Sequence, residues 1–334
     1  MPRLRRVSAE SPGWTRRRNG RGFVYFDEHG GRLGPDDVAR CRALVIPPAW
    51  KDVWICPYPT GHLQAVGTDE AGRRQYLYHP AWREQRDTAK HARVLDVATR
   101  LPVARRKVTQ HLALPGMPRE RALALAFRLL DLGFFRIGGE GYAEEYGSYG
   151  LATIEKQHVK VKGDEVLFEY VAKSGQERQV VVRDDAVRGA VGTLKRRRGG
   201  GAGLLAYRDG RQWRDVTSDD VNAYVKEVVG GDVSAKDFRT WHGTVLAAVA
   251  LAGKLEDRAS PTKRKRAVAT AMKEVAESLG NTPAVARSSY VDPKVVHQYE
   301  AGETIEEALE DTRPGRSEST RRKVEAAVLD LLQE

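Results

Sequence analysis

Tyr290 lies in a polar stretch, Ser288-Ser289-Tyr290-Val291-Asp292-Pro293, and three cations stand at wide intervals upstream of it: Arg136, Lys173 and Arg239. Those residue types suit the breaking of a phosphate ester. A phenol, with an ordinary pKa of about 10, becomes a usable nucleophile toward phosphorus inside a strongly positive pocket. The planar guanidinium of arginine grips two non-bridging oxygens and so matches the charge that builds in the transition state. A positioned lysine can protonate a departing oxygen. The chain offers no metal-ligand spacing, P-loop or dinucleotide fingerprint to do these tasks instead. Gly138-Gly139 stands near an arginine but lacks the strand–loop–helix setting of a phosphate cradle.

Each residue also has a plainer role open to it. A tyrosine in such a stretch half-buries its ring and leaves the hydroxyl at the surface. Arg136 follows Phe134-Phe135 at a predicted helix end, where a cation answers the helix dipole. Arg239 shares a predicted helix with Phe238, Val245 and Leu246, where a buried salt bridge is the alternative. Lys173, at a predicted hairpin tip, is open to the role of a solvated charge.

Charge narrows the substrate class. Lys plus Arg number 56 against 45 Asp plus Glu, a net +11, which points to a polyanion: nucleic acid first, an anionic membrane second. With 41% hydrophobic residues the chain can build a sizeable core, and 334 residues admit two domains at ~100–200 residues each. No run of apolar residues is long enough to span a membrane, and the charges from Pro2 to Arg6 precede no apolar segment of the kind a secretory signal carries. Cys41 and Cys56 are too few for a disulfide framework or a four-ligand zinc site; they read as two buried thiols, and the cytoplasm is the expected compartment.

The elements that must position these residues change character at Pro80. The first 24 residues carry seven arginines and one acid, Glu10, and read as a solvated or DNA-contacting arm. Strand-like runs follow at Gly22 to Phe26, Val53 to Cys56, Leu63 to Val66 and Arg74 to Tyr78, with a short helix after Gly34 that opens on Pro35, Asp36 and Asp37. From Pro80 helical periodicity takes over, in Pro80 to Leu101, Val103 to Leu112 and Arg119 to Phe134. Three strands interrupt it: Thr153 to Lys162, Glu165 to Lys173 and Arg178 to Val182, joined by hairpin-type turns at Gly163-Asp164 and Ser174-Gly175. Helices then resume to the end, the last from about Ser319 to Leu332. The expected fold is α+β. A small β-rich N-terminal domain, residues 1–80, precedes a mainly helical catalytic domain, residues 81–334, with an inserted three-stranded antiparallel sheet.

Four segments together resemble the type IB DNA topoisomerases, in the bacterial branch of their poxvirus-like group. Phe135-Arg136-Ile137-Gly138, with Tyr142, Tyr146 and Gly150-Leu151-Ala152-Thr153, resembles the first catalytic-arginine segment. Phe168 to Lys173 with Ser174-Gly175 resembles the hairpin of the catalytic lysine. Lys236-Asp237-Phe238-Arg239-Thr240-Trp241 resembles the second arginine box, and Leu279-Gly280-Asn281-Thr282-Pro283 through Tyr290 the terminal box. The resemblance runs from about residue 20 to the C-terminus, and the order Arg, Lys, Arg, Asn, Tyr is far more specific than any one box. It implies a bilobed clamp on duplex DNA. Tyr290 would form a 3′-phosphotyrosyl link, Arg136, Arg239 and Asn281 would stabilise the transition state, and Lys173 would protonate the 5′-oxygen. It implies no ATP, metal or other cofactor and no obligate protein partner, and a monomer is expected.

Asn281 departs from the histidine that poxvirus and nuclear members carry. An amide donates the same hydrogen bond but carries no charge and shuttles no proton. Asn281 could also simply cap the helix beginning at Thr282-Pro283. In the N-terminal region Gln75, Tyr76 and Tyr78 match the contact pattern of the strand that enters the major groove in the family. Gln75 and Leu77 would face one way and Arg74, Tyr76 and Tyr78 the other, a core-facing aromatic pair being the alternative. Lys236 stands where the related tyrosine recombinases place a histidine, three residues before the second arginine, and is expected to contact DNA. The basic runs Arg16-Arg17-Arg18, Lys195 to Arg198 and Lys263 to Arg266 fit phosphate tracking or a solvated surface. A tyrosine site-specific recombinase is the nearest alternative function, and a catalytically silent DNA-binding module the alternative from another class.

Overall fold

The computed structural model describes residues 3–139, 141, 147–253, 260–310 and 318–333. By its internal contacts the chain divides into two compact units, Met1–Lys90 and His91–Glu334. The N-terminal unit is built on an antiparallel sheet of five strands in the order β2-β1-β3-β4-β5: β1 (Trp14–Asn19), β2 (Gly22–Phe26), β3 (Lys51–Ile55), β4 (Leu63–Thr68) and β5 (Arg74–Tyr78). A helix, α1 (Pro35–Ala43), starts on Pro35 with Asp36 and Asp37 in its first turn. Its Cys41 joins Trp14, Tyr25, Ile46, Val53, Ile55 and Ala65 in a small core. Cys41 and Cys56 are both buried free thiols.

β1 corrects the expectation of an N-terminal arm. Residues Thr15 to Asn19 pair with Phe26 to Gly22, and Gly20, at φ 56°, turns the two-residue connection. Asn19-Gly20 is a turn signal that the arginines on either side of it obscured. Arg16 is drawn inward as well, donating to the carbonyls of Ile46 (3.0 Å), Pro47 (2.6 Å) and Trp50 (3.2 Å) and lying over the Phe23 ring.

The two helices expected on either side of Pro102 are one, α2 (Pro80–Leu112). Proline removes one helical hydrogen bond, but the buried stripe Val94, Ala98, Leu101, Ala104, Val108 continues across it, so packing outweighs the local break. Next come α3 (Arg119–Gly133) and a three-stranded antiparallel sheet, β6 (Val159–Lys162), β7 (Glu165–Ala172) and β8 (Gln176–Arg183), with β7 central. After α4 (Asp185–Arg196) a second hairpin, β9 (Ala206–Asp209) with β10 (Gln212–Asp215), replaces the uninterrupted helices that periodicity suggested. Helices α5 (Ser218–Val229), α6 (Ala235–Ala252), α7 (Pro261–Leu279), α8 (Pro283–Ser289), α9 (Pro293–Ala301), α10 (Glu306–Glu310) and α11 (Glu318–Gln333) complete the C-terminal unit. Among the described residues no helix is long and apolar enough to cross a membrane.

A charged network lies inside this second core. Arg105 of α2, 1% exposed, donates Nε to Asp131 Oδ2 (3.0 Å) and Nη2 to Asp131 Oδ1 and Glu325 Oε1, both at 2.8 Å. Arg321 adds a bond to Asp131 Oδ2 at 2.5 Å. Burial alone would push the Asp131 carboxyl up, but Arg105 and Arg321 outweigh it and hold the group well below the usual carboxylate range. The network ties α11 to α2 and α3. Its loss on one side would strand a buried charge.

Candidate active site

The site is organised by the C-terminal end of α7. Gly280, at φ 62° and ψ 53°, ends the helix, its N–H still bonding the Glu277 carbonyl at 3.2 Å, and leaves the later carbonyls without helical partners. Three guanidiniums from three separate stretches of the chain converge on this helix end. Arg178 of β8 donates Nη1 to the Glu277 carbonyl (3.1 Å) and Nη2 to that of Ser278 (2.8 Å). Arg239 of α6 donates Nη2 to the Leu279 carbonyl at 2.7 Å, and its Nη1 to the carbonyl of Phe134. Arg136 donates Nη2 both to the Gly280 carbonyl (2.6 Å) and to Asn281 Oδ1 (2.8 Å). The negative end of the helix dipole offsets the mutual repulsion of three clustered cations.

This arrangement settles the plainer roles. Arg136 does answer a helix C-terminus, but that of α7, not the α3 end it follows. Arg239, 4% exposed, has no carboxylate partner among the described residues; backbone carbonyls replace the expected salt bridge. Burial pushes its pKa below the ordinary value, with Tyr290 opposing and Arg136 and Arg178 adding to the effect. Burial likewise lowers that of Arg136. Both remain cations at neutral pH, as guanidiniums do in proteins. Asn281 is not a helix cap: Thr282 caps α8, its side chain accepting from the Val285 N–H at 3.3 Å.

Tyr290 sits at the C-terminal end of α8, half-buried, with the Arg239 Cζ 5.1 Å from its ring centroid. The same helix that carries Arg239 provides the seat one turn later. A Cβ on Gly243 would lie 2.7 Å from the Tyr290 carbonyl and 3.1 Å from its Cβ, so only glycine lets the segment lie this close. The Thr244 hydroxyl donates to the Tyr290 carbonyl (3.4 Å) and accepts from the Asp292 N–H (3.1 Å). Arg136 is fixed by a comparable backbone approach. Gly138, at φ 79°, packs on Gly150, and the N–H groups of Leu151 and Ala152 bond the carbonyls of Arg136 and Ile137, both at 2.8 Å. Tyr142 and Tyr146, part of the same sequence box, lie outside the described residues.

Two donors at this centre are buried with no protein partner among the described residues: Asn281 Nδ2 and Arg239 Nε. Buried donors are normally satisfied; several other arginines leave Nε in the same state, so Asn281 Nδ2, the one side-chain amide among them, is the distinctive open donor at this centre. Arg136, Arg239, Asn281 and Tyr290 are thus brought together. Lys173 stands exposed at the tip of the β7–β8 hairpin, in a turn of 3-10 helix, and makes no hydrogen bond or ion pair with them. Lys236 is exposed in the first turn of α6, three residues before Arg239 and therefore on the same face.

Four residues at the centre escaped the sequence reading. Arg178 and Tyr170 face each other across the β7–β8 register, and the Tyr170 phenol, pushed up by burial, is opposed by Arg178, Arg136 and Arg239. Gly243 and Thr244 had one detectable signal, an isolated glycine four residues after an arginine in an apolar helix, which points to a packing demand.

On the N-terminal unit, Tyr76 is 47% exposed and stacks with Tyr78 at 6.2 Å, so the pair is not core-facing. Leu77 packs on the small core, while Gln75 Nε2 is engaged by Asp69 Oδ2 at 2.8 Å. Tyr78 also lines an open cleft with His62, Trp82, Arg83, Arg86 and Asp87. The basic run at Lys195 divides: Lys195 bonds the carbonyls of Lys156 (2.9 Å) and Val159, and buried Arg197 organises the glycine-rich loop through Leu204 O (2.8 Å) and Gly203 O. Arg196 and Arg198 remain exposed, as do Lys263, Lys265 and Arg266.

The chain is similar to known proteins. Over 287 residues the chain is 29% identical to the DNA topoisomerase 1B of Acanthamoeba polyphaga mimivirus, covering 84% of this chain and 85% of that protein. It is 21% identical over 234 residues to the DNA topoisomerase 1B of vaccinia virus, covering 68% and 69%, and to the DNA topoisomerase I of monkeypox virus with the same figures. Residues 22–69 match the family model for the N-terminal domain of bacterial DNA topoisomerase IB. Since residues 79–325 match the model for the catalytic core of eukaryotic DNA topoisomerase I, the chain belongs to the type IB DNA topoisomerases.

Proposed function

We propose that this topoisomerase relaxes supercoiled duplex DNA through a 3′-phosphotyrosyl intermediate on Tyr290, without ATP or an obligatory metal. One observation carries the reading: Arg136, Arg239 and Asn281 converge beside Tyr290, with Asn281 Nδ2 unpartnered among the described residues. Preorganised donors of this kind lower the barrier by meeting charge where it develops. The Tyr290 oxygen forms a bond to phosphorus and releases its phenolic proton to water. The bond from phosphorus to the 5′-oxygen breaks, and Lys173 Nζ protonates that oxygen. Arg136 and Arg239 hold the non-bridging oxygens through their remaining N–H groups. The cut strand swivels about the intact one, and the reverse attack reseals it. The ester to tyrosine conserves the phosphodiester energy, so nucleotide hydrolysis is not needed.

The N-terminal domain, residues 1–80, contributes duplex contacts through exposed Tyr76 and its partner Tyr78. Gln75 reads a base only on leaving Asp69, and Lys236 adds a phosphate contact next to Arg239. The protein acts on duplex DNA as a monomer, with no obligate protein partner, in this reading. The cytoplasm is the proposed compartment.

Incubation with supercoiled plasmid in EDTA and without nucleotide is expected to give a ladder of relaxed topoisomers, and detergent quenching a covalent adduct on a 3′ end. Activity lost on chelation and restored only by one metal would overturn the mechanism. A mobility shift alone would indicate a silent binding module, and exchange between paired target sites a recombinase.

Asn281 offers a finer test. Asn281→Ala is expected to slow cleavage by about one to three orders of magnitude, the range for one oxyanion donor. Asn281→His, which restores a ring N–H, should keep substantial activity. Single-turnover cleavage rates decide it. An alanine variant as fast as the parent removes Asn281 from the site.

A further inference from the structure

We infer that Arg178 is a positioning residue for Lys173: it fastens the Lys173 hairpin to the helix end that holds Arg136, Arg239 and Asn281. The inference rests on the reading of Lys173 as the proton donor. Among the described residues, few hydrogen bonds hold the hairpin tip against the reacting centre. Lys173 is exposed, and the turn beyond it runs through left-handed backbone at Ser174 (φ 67°) and Gly175 (φ 70°). On one side the tip is tied to the Arg136 segment by the Tyr149 N–H bonding the Val171 carbonyl at 2.8 Å. On the side of Asn281 and Tyr290, the two bonds from Arg178 to the Glu277 and Ser278 carbonyls are the only hydrogen bonds joining β7 or β8 to α7 among the described residues.

The fit is specific to a guanidinium. Arg178 spans two successive carbonyls of the last turn of α7 with two nitrogens of one planar fork, which a lysine ammonium cannot match. The next two carbonyls belong to Arg239 and Arg136, so one helix end sets three arginines side by side. Gly280 makes room for this: a Cβ there would stand 2.8 Å from Arg178 Nη1, and its φ of 62° disfavours a side chain independently. Arg178 also lies opposite Tyr170 in the register, so its own strand position is anchored by a buried ring. Arg136 and Arg239 keep their own carbonyls without Arg178. Removing it therefore frees the hairpin, and with it Lys173, more than it frees the arginines.

That asymmetry makes a selective kinetic signature. Proton donation matters when the leaving group is the 5′-oxygen and hardly matters when that bridging oxygen is replaced by sulfur, whose thiolate leaves unprotonated. Single-turnover cleavage of both substrates by the full chain is to be measured for Lys173→Ala, Arg178→Ala and the double variant. Arg178→Ala is expected to be slower on the oxygen substrate by about 10²-fold, the cost of misplacing a reacting group by roughly an ångström. On the sulfur substrate it should fall within a few-fold of the parent, and it should add little to Lys173→Ala on oxygen.

Equal slowing of Arg178→Ala on both substrates, or a full multiplicative loss in the double variant, overturns the inference while leaving Lys173 in place. Lys173→Ala without sulfur rescue overturns the proton-donor reading itself, and if Arg178→Ala alone is rescued, Arg178 is the donor and not its positioner. Thermal unfolding of each variant checks the fold. Should the alanine variant not fold, Arg178→Lys is used: the same sulfur-selective defect in milder form supports the inference, and parent-like cleavage of the oxygen substrate overturns it.

Discussion

Tyr290→Phe is expected to bind duplex DNA as the parent does and to lose both plasmid relaxation and the covalent adduct. The substitution removes one oxygen and leaves the seat intact. The ring stays beneath Arg239, and the backbone bonds from Tyr290 N–H to Ala286 (3.0 Å) and from Thr244 to the Tyr290 carbonyl do not involve the hydroxyl. Binding should therefore change by well under the ~1.4 kcal/mol that makes a tenfold difference, while the only atom able to form the ester is gone. Among the described residues, the two nearest rivals are poorly placed to substitute. Tyr299 is 1% exposed inside α9, and Tyr170, though among the arginines, is buried at 8% exposure. A phenylalanine variant that still forms adducts in a detergent-trapping gel would overturn the assignment of the nucleophile.

Arg239→Ala should reduce the cleavage rate by about 10³–10⁵-fold, the range for an arginine that neutralises charge in phosphoryl transfer. Arg239 is the most buried of the clustered cations and lies over the Tyr290 ring, so its field acts with little solvent screening. The substitution also strands the carbonyls of Phe134 and Leu279, at about 1–3 kcal/mol for each buried group left unpaired. A lower melting temperature is therefore expected together with the slower chemistry, and rates are to be compared where both variants are folded. Arg239→Lys separates charge from geometry. An ammonium cannot span the two carbonyls and still present a fork to phosphate, so lysine should recover only a small part of the loss. A lysine variant near the parental rate would show that charge alone suffices at this position.

Local chemistry in the chain determined a good deal. Ser174-Gly175 specifies the β7–β8 hairpin on which Lys173 stands, and Gly163-Asp164 the β6–β7 hairpin before it, because those turns demand residues tolerant of left-handed backbone. Pro35 with Asp36 and Asp37 starts α1, and Pro80 opens α2 where helical periodicity begins. The order Arg136, Lys173, Arg239, Asn281, Tyr290 was readable as an order of boxes and carried the family. What each cation touches was decided only by tertiary structure. Arg136 reaches the end of a helix 144 residues away, Arg239 finds carbonyls where a carboxylate was expected, and Arg178 enters the centre from a strand whose sequence has nothing to mark it. The same holds for Arg16, Lys195 and Arg197, cations of basic runs that turn inward onto carbonyls. A charge pattern counts donors, but a donor's partner is set by whichever unsatisfied acceptor the fold brings within 3 Å of it, and for these residues that acceptor is a backbone carbonyl, which every residue type carries alike.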